Sequence, residues 1–175
     1  MPKETLAIRE PFVANECLSH LVPEAAAQTF KGNNFITLNA AGRAIAAPAT
    51  PASPVAADLL NIGFALEPGH NYTVSNMESM VEITNRDVLI EVTLKGNSIP
   101  QVDLIPGTRY GLGIDGATGY YVADYARKGI ALLELVRLSG RGILANGKAI
   151  YTSGYELDDN PRIIVRILAS AGIPS

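Results

Sequence analysis

The chain has 175 residues, enough for one domain of ordinary size or two small ones, and a domain near this length buries about 70% of its unfolded surface, so a core needs no disulfide or metal. Apolar residues make up 47% and charged residues 18%. That is globular, with fewer charges than the usual quarter, and association with other subunits is the simplest way to cover such a surface. The net charge is −3, no Lys/Arg run exceeds Arg127-Lys128 and there is no Trp, which argues against nucleic-acid binding through a positive field or a base-stacking platform.

Residues 1–30 read as an N-terminal arm. Leu6, Ile8, Phe12 and Val13 are apolar but follow neither a helical nor a sustained strand period, and Pro2, Pro11 and Pro23 interrupt them. Apolar teeth of this kind need a groove, on the chain's own body or on a neighbour. The opening residues lack the apolar run of a signal peptide. Cys17, the only cysteine, allows no intrachain disulfide or multi-cysteine metal site and suits a reducing cytosol. Pro23-Glu-Ala-Ala-Ala-Gln28 has the start signal of a short helical turn.

Residues 31–96 form the first expected β unit. Gly32-Asn-Asn-Phe-Ile-Thr-Leu-Asn-Ala-Ala-Gly42-Arg-Ala-Ile-Ala46 reads as a hairpin over 33–46 with its turn at Asn39–Gly42. Pro48, Pro51 and Pro54 mark an extended loop or edge. Strands are expected at 59–66, stopped by Pro68-Gly69, then at 71–76, 80–84 and 87–94. Lys95–Pro100 is the expected boundary.

Residues 97–175 form the second unit, or one domain together with the first. A hairpin over 109–123 echoes the hairpin at 33–46, and the β-branched run 162–169 echoes 87–94. The Leu-rich segment 130–138, confined between Gly129 and Gly140, reads as a buried strand. Asn146-Gly147 is a hairpin turn signal. Many short strands punctuated by Gly, Pro, Asn and Asp give an all-β class: one or two small β-barrel or β-sandwich units with an extended N-terminal arm. No segment has the ~20 apolar residues of a membrane helix.

Residues able to do chemistry show no comparable order. Gly111-Leu-Gly113-Ile-Asp-Gly116 matches G-x-G-x-x-G, but strand-forming residues follow instead of a helix, so the glycines read as a hairpin bend. His20 and His70 stand in no metal-ligand motif. Asp103, Asp115, Asp124, Asp158 and Asp159 sit mostly beside turn residues, where Asp bonds local backbone. Asn71-Tyr-Thr73 is a glycosylation sequon with no export signal beside it. Tyr110, Tyr120, Tyr121 and Tyr125 cluster. Tyr120 and Tyr121 point to opposite faces of a strand, and Tyr121 is the interface candidate. The expectation is therefore a non-enzyme without cofactor or metal.

Leu59-Leu-Asn-Ile-Gly-Phe-Ala-Leu-Glu-Pro-Gly69, Pro106-Gly-Thr-Arg-Tyr-Gly-Leu-Gly-Ile-Asp-Gly116 and the closing β run resemble bacteriophage capsid decoration (cement) proteins. The resemblance covers the chain from about residue 30 onward, and its motifs are generic. It implies a structural protein on the capsid surface of a virion, made in the host cytoplasm. Such a protein binds the major capsid protein from outside, often as a homotrimer, and acts without nucleic acid or membrane. Leu6, Ile8, Phe12, Val13 and Tyr121 are the candidate partner-binding residues, and deleting residues 1–15 is expected to abolish particle binding while sparing the fold. The alternative from another class is a carbohydrate-binding β module of a phage fibre or adhesin.

Overall fold

The computed structural model describes residues 5–15, 19–47, 62–73, 80–84, 88–127, 132–139 and 159–168. The chain is all-β. Its strands are β1 (Phe12–Val13), β2 (Ser19–Pro23), β3 (Phe35–Leu38), β4 (Ala44–Ala46), β5 (Ile62–Ala65), β6 (Met80–Thr84), β7 (Leu89–Lys95), β8 (Arg109–Ile114), β9 (Tyr121–Asp124), β10 (Leu133–Leu138) and β11 (Arg162–Ile167). Short 3-10 helices cover Gln101–Leu104 and Tyr125–Arg127.

Period-two patterning builds a closed barrel. β7 turns Ile90, Val92 and Leu94 inward, and β11 turns Ile163, Val165 and Ile167 inward. Tyr110 and Leu112 of β8, Tyr121 and Ala123 of β9, and Leu133 and Leu135 of β10 complete the same core. The strands run in the order β7–β11–β10–β8–β9 and close by a parallel contact between β9 and β7, with Leu94 opposite Ala123 and Lys95 opposite Asp124. Closure removes the free edges that otherwise invite pairing with another chain.

β2, β6, β5, β3 and β4 form a separate antiparallel sheet in that order. A parallel bridge from Glu24 to Ala44 brings its two end strands together, with the Ala25 amide donating to the Ala44 carbonyl at 3.1 Å. One face of this sheet gives Phe35 and Phe64 to the barrel core, where Phe35 meets Phe64 edge-on at 5.2 Å and lies 5.6 Å from the Tyr121 ring. The other face places Ile36 and Ala65 with Val22, Phe30 and Ala44 in a smaller core. The Tyr121 hydroxyl donates to the Ala47 carbonyl at 2.6 Å across the junction.

Apart from β1, the strands divide between the sheets after Thr84, so β7 lies with the second half of the chain and not with residues 31–84. The hairpin turn at Asn39–Gly42 forms as read: the Asn39 carboxamide oxygen accepts from the Ala41 and Arg43 amides, and Gly42 takes φ 72°. The hairpin β8–β9 and strands β10 and β11 also lie where the sequence places them. The helical turn expected at 23–28 does not form, because Pro23 ends β2 and Glu24 is drawn into the bridge. Residues 71–73 make no strand. The proline loop after Ala47, Cys17, the Asn146-Gly147 turn and Asp158 lie outside the described residues.

The arm has its groove on its own body. β1 pairs antiparallel with β7, Phe12 opposite Glu91 and Val13 opposite Ile90, on the edge of β7 that β9 takes up further along. Arg162, 4% exposed, fastens it. Its guanidinium donates to Glu91 Oε1 (3.0 Å), Thr93 Oγ1 (3.1 Å) and the carbonyls of Arg9 (3.2 Å) and Glu10 (3.3 Å), and it lies over the Phe12 ring at 5.4 Å. The Leu6 amide donates to the Asp159 carbonyl at 3.0 Å, and the Leu6 carbonyl accepts from Asn160 Nδ2 at 3.2 Å. The segment expected to reach a neighbour is thus bonded to the barrel from Thr5 to Asn15.

Candidate functional site

Beside the arm, which pairs with β7, part of the barrel surface at the ends of β7, β8 and β9 stays open. There the Lys95–Asn97 segment, Ile114, Val122 and Asp124 border a concavity of about 360 Å³, walled on one side by Ile8 of the arm. Ala126 and Asn160 complete its rim. Val122 forms a nearly buried floor at 1% exposure. Gly113, opposite Val122, contributes no side chain, and a Cβ there would stand 3.3 Å from Asp124 Oδ2. Gly111 and Gly113 therefore lie within β8, not at a bend. Gly116 alone of the three glycines falls in the turn.

The charges around the concavity pair unequally. Lys95 stands opposite Asp124 in the parallel register, yet its ammonium bonds Asp115 Oδ1 at 2.8 Å. Asp115 also accepts from the Thr118 amide and hydroxyl, both at 2.9 Å. The Lys95 hydrogen bond, then those from Thr118, hold the Asp115 carboxyl down at about 2. Asp124 Oδ1 accepts the Ala126 amide at 3.0 Å. Among the described residues no cation pairs with Asp124, and Oδ2 accepts no hydrogen bond.

A second polar focus lies at the bridge that joins the end strands of the second sheet. The fully buried Glu24 carboxylate accepts from the His70 amide and contacts His70 Nδ1, each at 2.8 Å. The His70 ring stacks on Tyr72 at 5.7 Å. A carboxylate partner for His70 was invisible in the sequence because Glu24 is far away in the chain. Among the described residues no group of three His, Cys, Asp or Glu side chains is placed to hold a metal ion.

The residues singled out from sequence scatter. Leu6, Ile8, Phe12 and Val13 are half-buried against the barrel, and of these Ile8 alone borders the concavity. Tyr121 is corrected from an interface residue to a core one: it is 2% exposed, and burial pushes its hydroxyl up to about 12. Tyr120 is the outward member of the pair, beneath Lys31 at 5.7 Å. Tyr110 is buried and donates to the Asp103 carbonyl; burial, then the nearby Asp103 charge, raise its pKa well above the ordinary phenol value. Tyr125 donates to Asp103 Oδ2 at 2.6 Å. Asp115, Asp124 and Asp159 each accept backbone amides, the role expected of turn aspartates. Nothing in the local sequence marks Asp124 as the carboxylate left over, since that depends on where Lys95 turns.

Among the described residues no helix is long and apolar enough to cross a membrane. Comparison with protein-family models, curated proteins and solved structures finds no match to the chain.

Proposed function

We propose that this chain is a non-catalytic structural protein that binds the outside of a bacteriophage capsid and cements neighbouring major capsid protein subunits. The observation that carries the reading is the distribution of exposed apolar side chains on a closed body. Leu21 on β2 is 59% exposed, Tyr72 after β5 47% and Ile105 beyond the first 3-10 helix 47%. They belong to separate elements of the sheet and the barrel, as contacts with an extended partner would. The charged side chains support the same reading: Arg162–Glu91, Lys95–Asp115 and His70–Glu24 each tie distant segments of the fold together.

The arm now serves the fold, so the contacts proposed for the shell are Leu21, Tyr72, Ile105 and the loops around them. A protein that binds the assembled lattice and not the free subunit stabilises the lattice by mass action. Repetition over many sites makes modest contacts effective, and a trimer at a symmetry axis would multiply them further.

Co-sedimentation of the purified protein with assembled phage capsids and with unassembled major capsid protein tests this. Binding to shells alone, weakened by Leu21→Ser or Ile105→Ser with unchanged circular dichroism, is expected. No binding to shells, or equal binding to free subunits, contradicts it. The sugar-binding alternative needs an open aromatic face, and His70 stacks on the exposed Tyr72 ring. Selective binding on a glycan array would favour that alternative.

A further inference from the structure

The concavity beside the arm combines three properties: apolar side chains in a mixed lining, one carboxylate that no cation pairs among the described residues, and a neighbouring cation already engaged elsewhere. We propose that it receives a basic side chain, arginine or lysine, presented by a protein partner, with Asp124 Oδ2 as the counter-charge.

Charge complementarity makes the argument. Lys95 is already bonded to Asp115 at 2.8 Å, which leaves Asp124 as the lining charge that no ion pair engages among the described residues. Its Oδ1 is held by the Ala126 amide, so the carboxylate is already oriented when a cation arrives. Oδ2 lies beside Gly113, where a Cβ would stand 3.3 Å from it. Asn97, exposed on the rim, adds an amide that makes no hydrogen bond among the described residues.

The walls select among cations. Ile8 and Ile114, with Val122 beneath them, offer apolar surface beside the carboxylate, and the methylene stem of arginine or lysine covers such surface while its head stays polar. A hard divalent ion is a poor fit, because it takes six or more oxygen ligands and the groove presents one free carboxylate oxygen. Guanidinium fits better than ammonium, since its planar fork can engage Oδ2 and the Asn97 carbonyl together. This inference names one contact for the capsid-binding reading, but its test uses no capsid, so either can fail alone.

The probe is Nα-acetyl-L-arginine amide, titrated into isotopically labelled full-length protein while backbone amide resonances are followed. Saturable shifts at Gly96, Asn97, Asp124 and Ala126 are expected, with a dissociation constant on the order of millimolar. Nα-acetyl-L-citrulline amide, the neutral isostere, should produce none. Asp124→Asn keeps the Oδ1 acceptor for Ala126 and should weaken arginine binding about tenfold. Asn97→Asp, an exposed change that adds a second carboxylate, should tighten it. Equal shifts from citrulline, unchanged affinity in Asp124→Asn, or the same resonances moving with methyl α-D-glucoside and not with arginine would each overturn the proposal.

Discussion

In the barrel, β7 is paired with β11 on one edge and with β1 and β9 on the other, and the ring of strands returns to its start. In the second sheet, β2 and β4 are end strands joined at the Glu24–Ala44 bridge. The barrel buries a continuous core, whereas the sheet divides its apolar residues between that core and a smaller one of its own. Similar alternating sequences thus give one unit packed around a single core and one whose apolar residues are shared between two. The difference teaches that the faces covered by neighbours, more than strand quality, set how each unit is packed.

Phe35→Ala is the largest expected break in that relation. Phe35 is fully buried between Phe64 and Tyr121, and truncating such a residue costs about 4 kcal/mol. The sheet should then unfold in less urea than the barrel, so that tyrosine fluorescence and far-ultraviolet circular dichroism no longer report one transition. A single coincident transition would show that the sheet does not depend on this contact.

Arg162→Ala strikes inside the barrel. It takes the Arg162 guanidinium away from the Glu91 carboxylate, 7% exposed, and unfastens the arm. Breaking a buried pair from one side costs about 3 kcal/mol or more. Limited proteolysis should cut near residues 9–15 before the barrel strands, and an uncut arm would contradict the clamp. Deletion of residues 1–15 should destabilise the barrel for the same reason.

How much of this was legible follows from range. Alternation in β7 and β11 is local, so both strands can be read directly from sequence, as can the hairpins at 35–46 and 109–124. Partner choice is not local: β7 follows the first half in sequence but pairs with β11, which fills its edge from Leu89 to Thr93. The opposite charges on the outward faces of those two strongest strands, Glu91 and Arg162, were the one available hint. Tyr120 and Tyr121 divide between faces as a strand requires, but which one faces inward depends on the register of β9 against β8. Asp124 and Glu24 owe their surroundings to the closing parallel contact and to the bridge, features with no short-range signature.

Tyr121→Phe sharpens the comparison at the junction. It removes the hydroxyl bond to Ala47 and keeps the ring, for a loss of about 1 kcal/mol. No change in the urea midpoint would mean that ring packing alone joins the two units.

A further effect is in acid. The Asp115 carboxyl, held at about 2 against an ordinary 3.8, binds its proton more readily in the unfolded chain. Its stabilisation is complete above the ordinary value and is lost as pH falls toward about 2. Asp115→Asn should flatten that part of the stability profile. An unchanged acid slope would remove Asp115 as its source.

Native-state hydrogen exchange tests most directly whether the arm belongs to the barrel. The Ala14 amide donates to the Leu89 carbonyl at 2.7 Å, and the Leu94 amide to the Pro161 carbonyl at 2.8 Å. If β1 is a strand of the barrel, Ala14 exchanges through the same opening that exposes β7, with protection of similar size to that of Leu94. Exchange of Ala14 at the rate of an unstructured peptide, beside a protected Leu94, would return the segment to the role of a free arm.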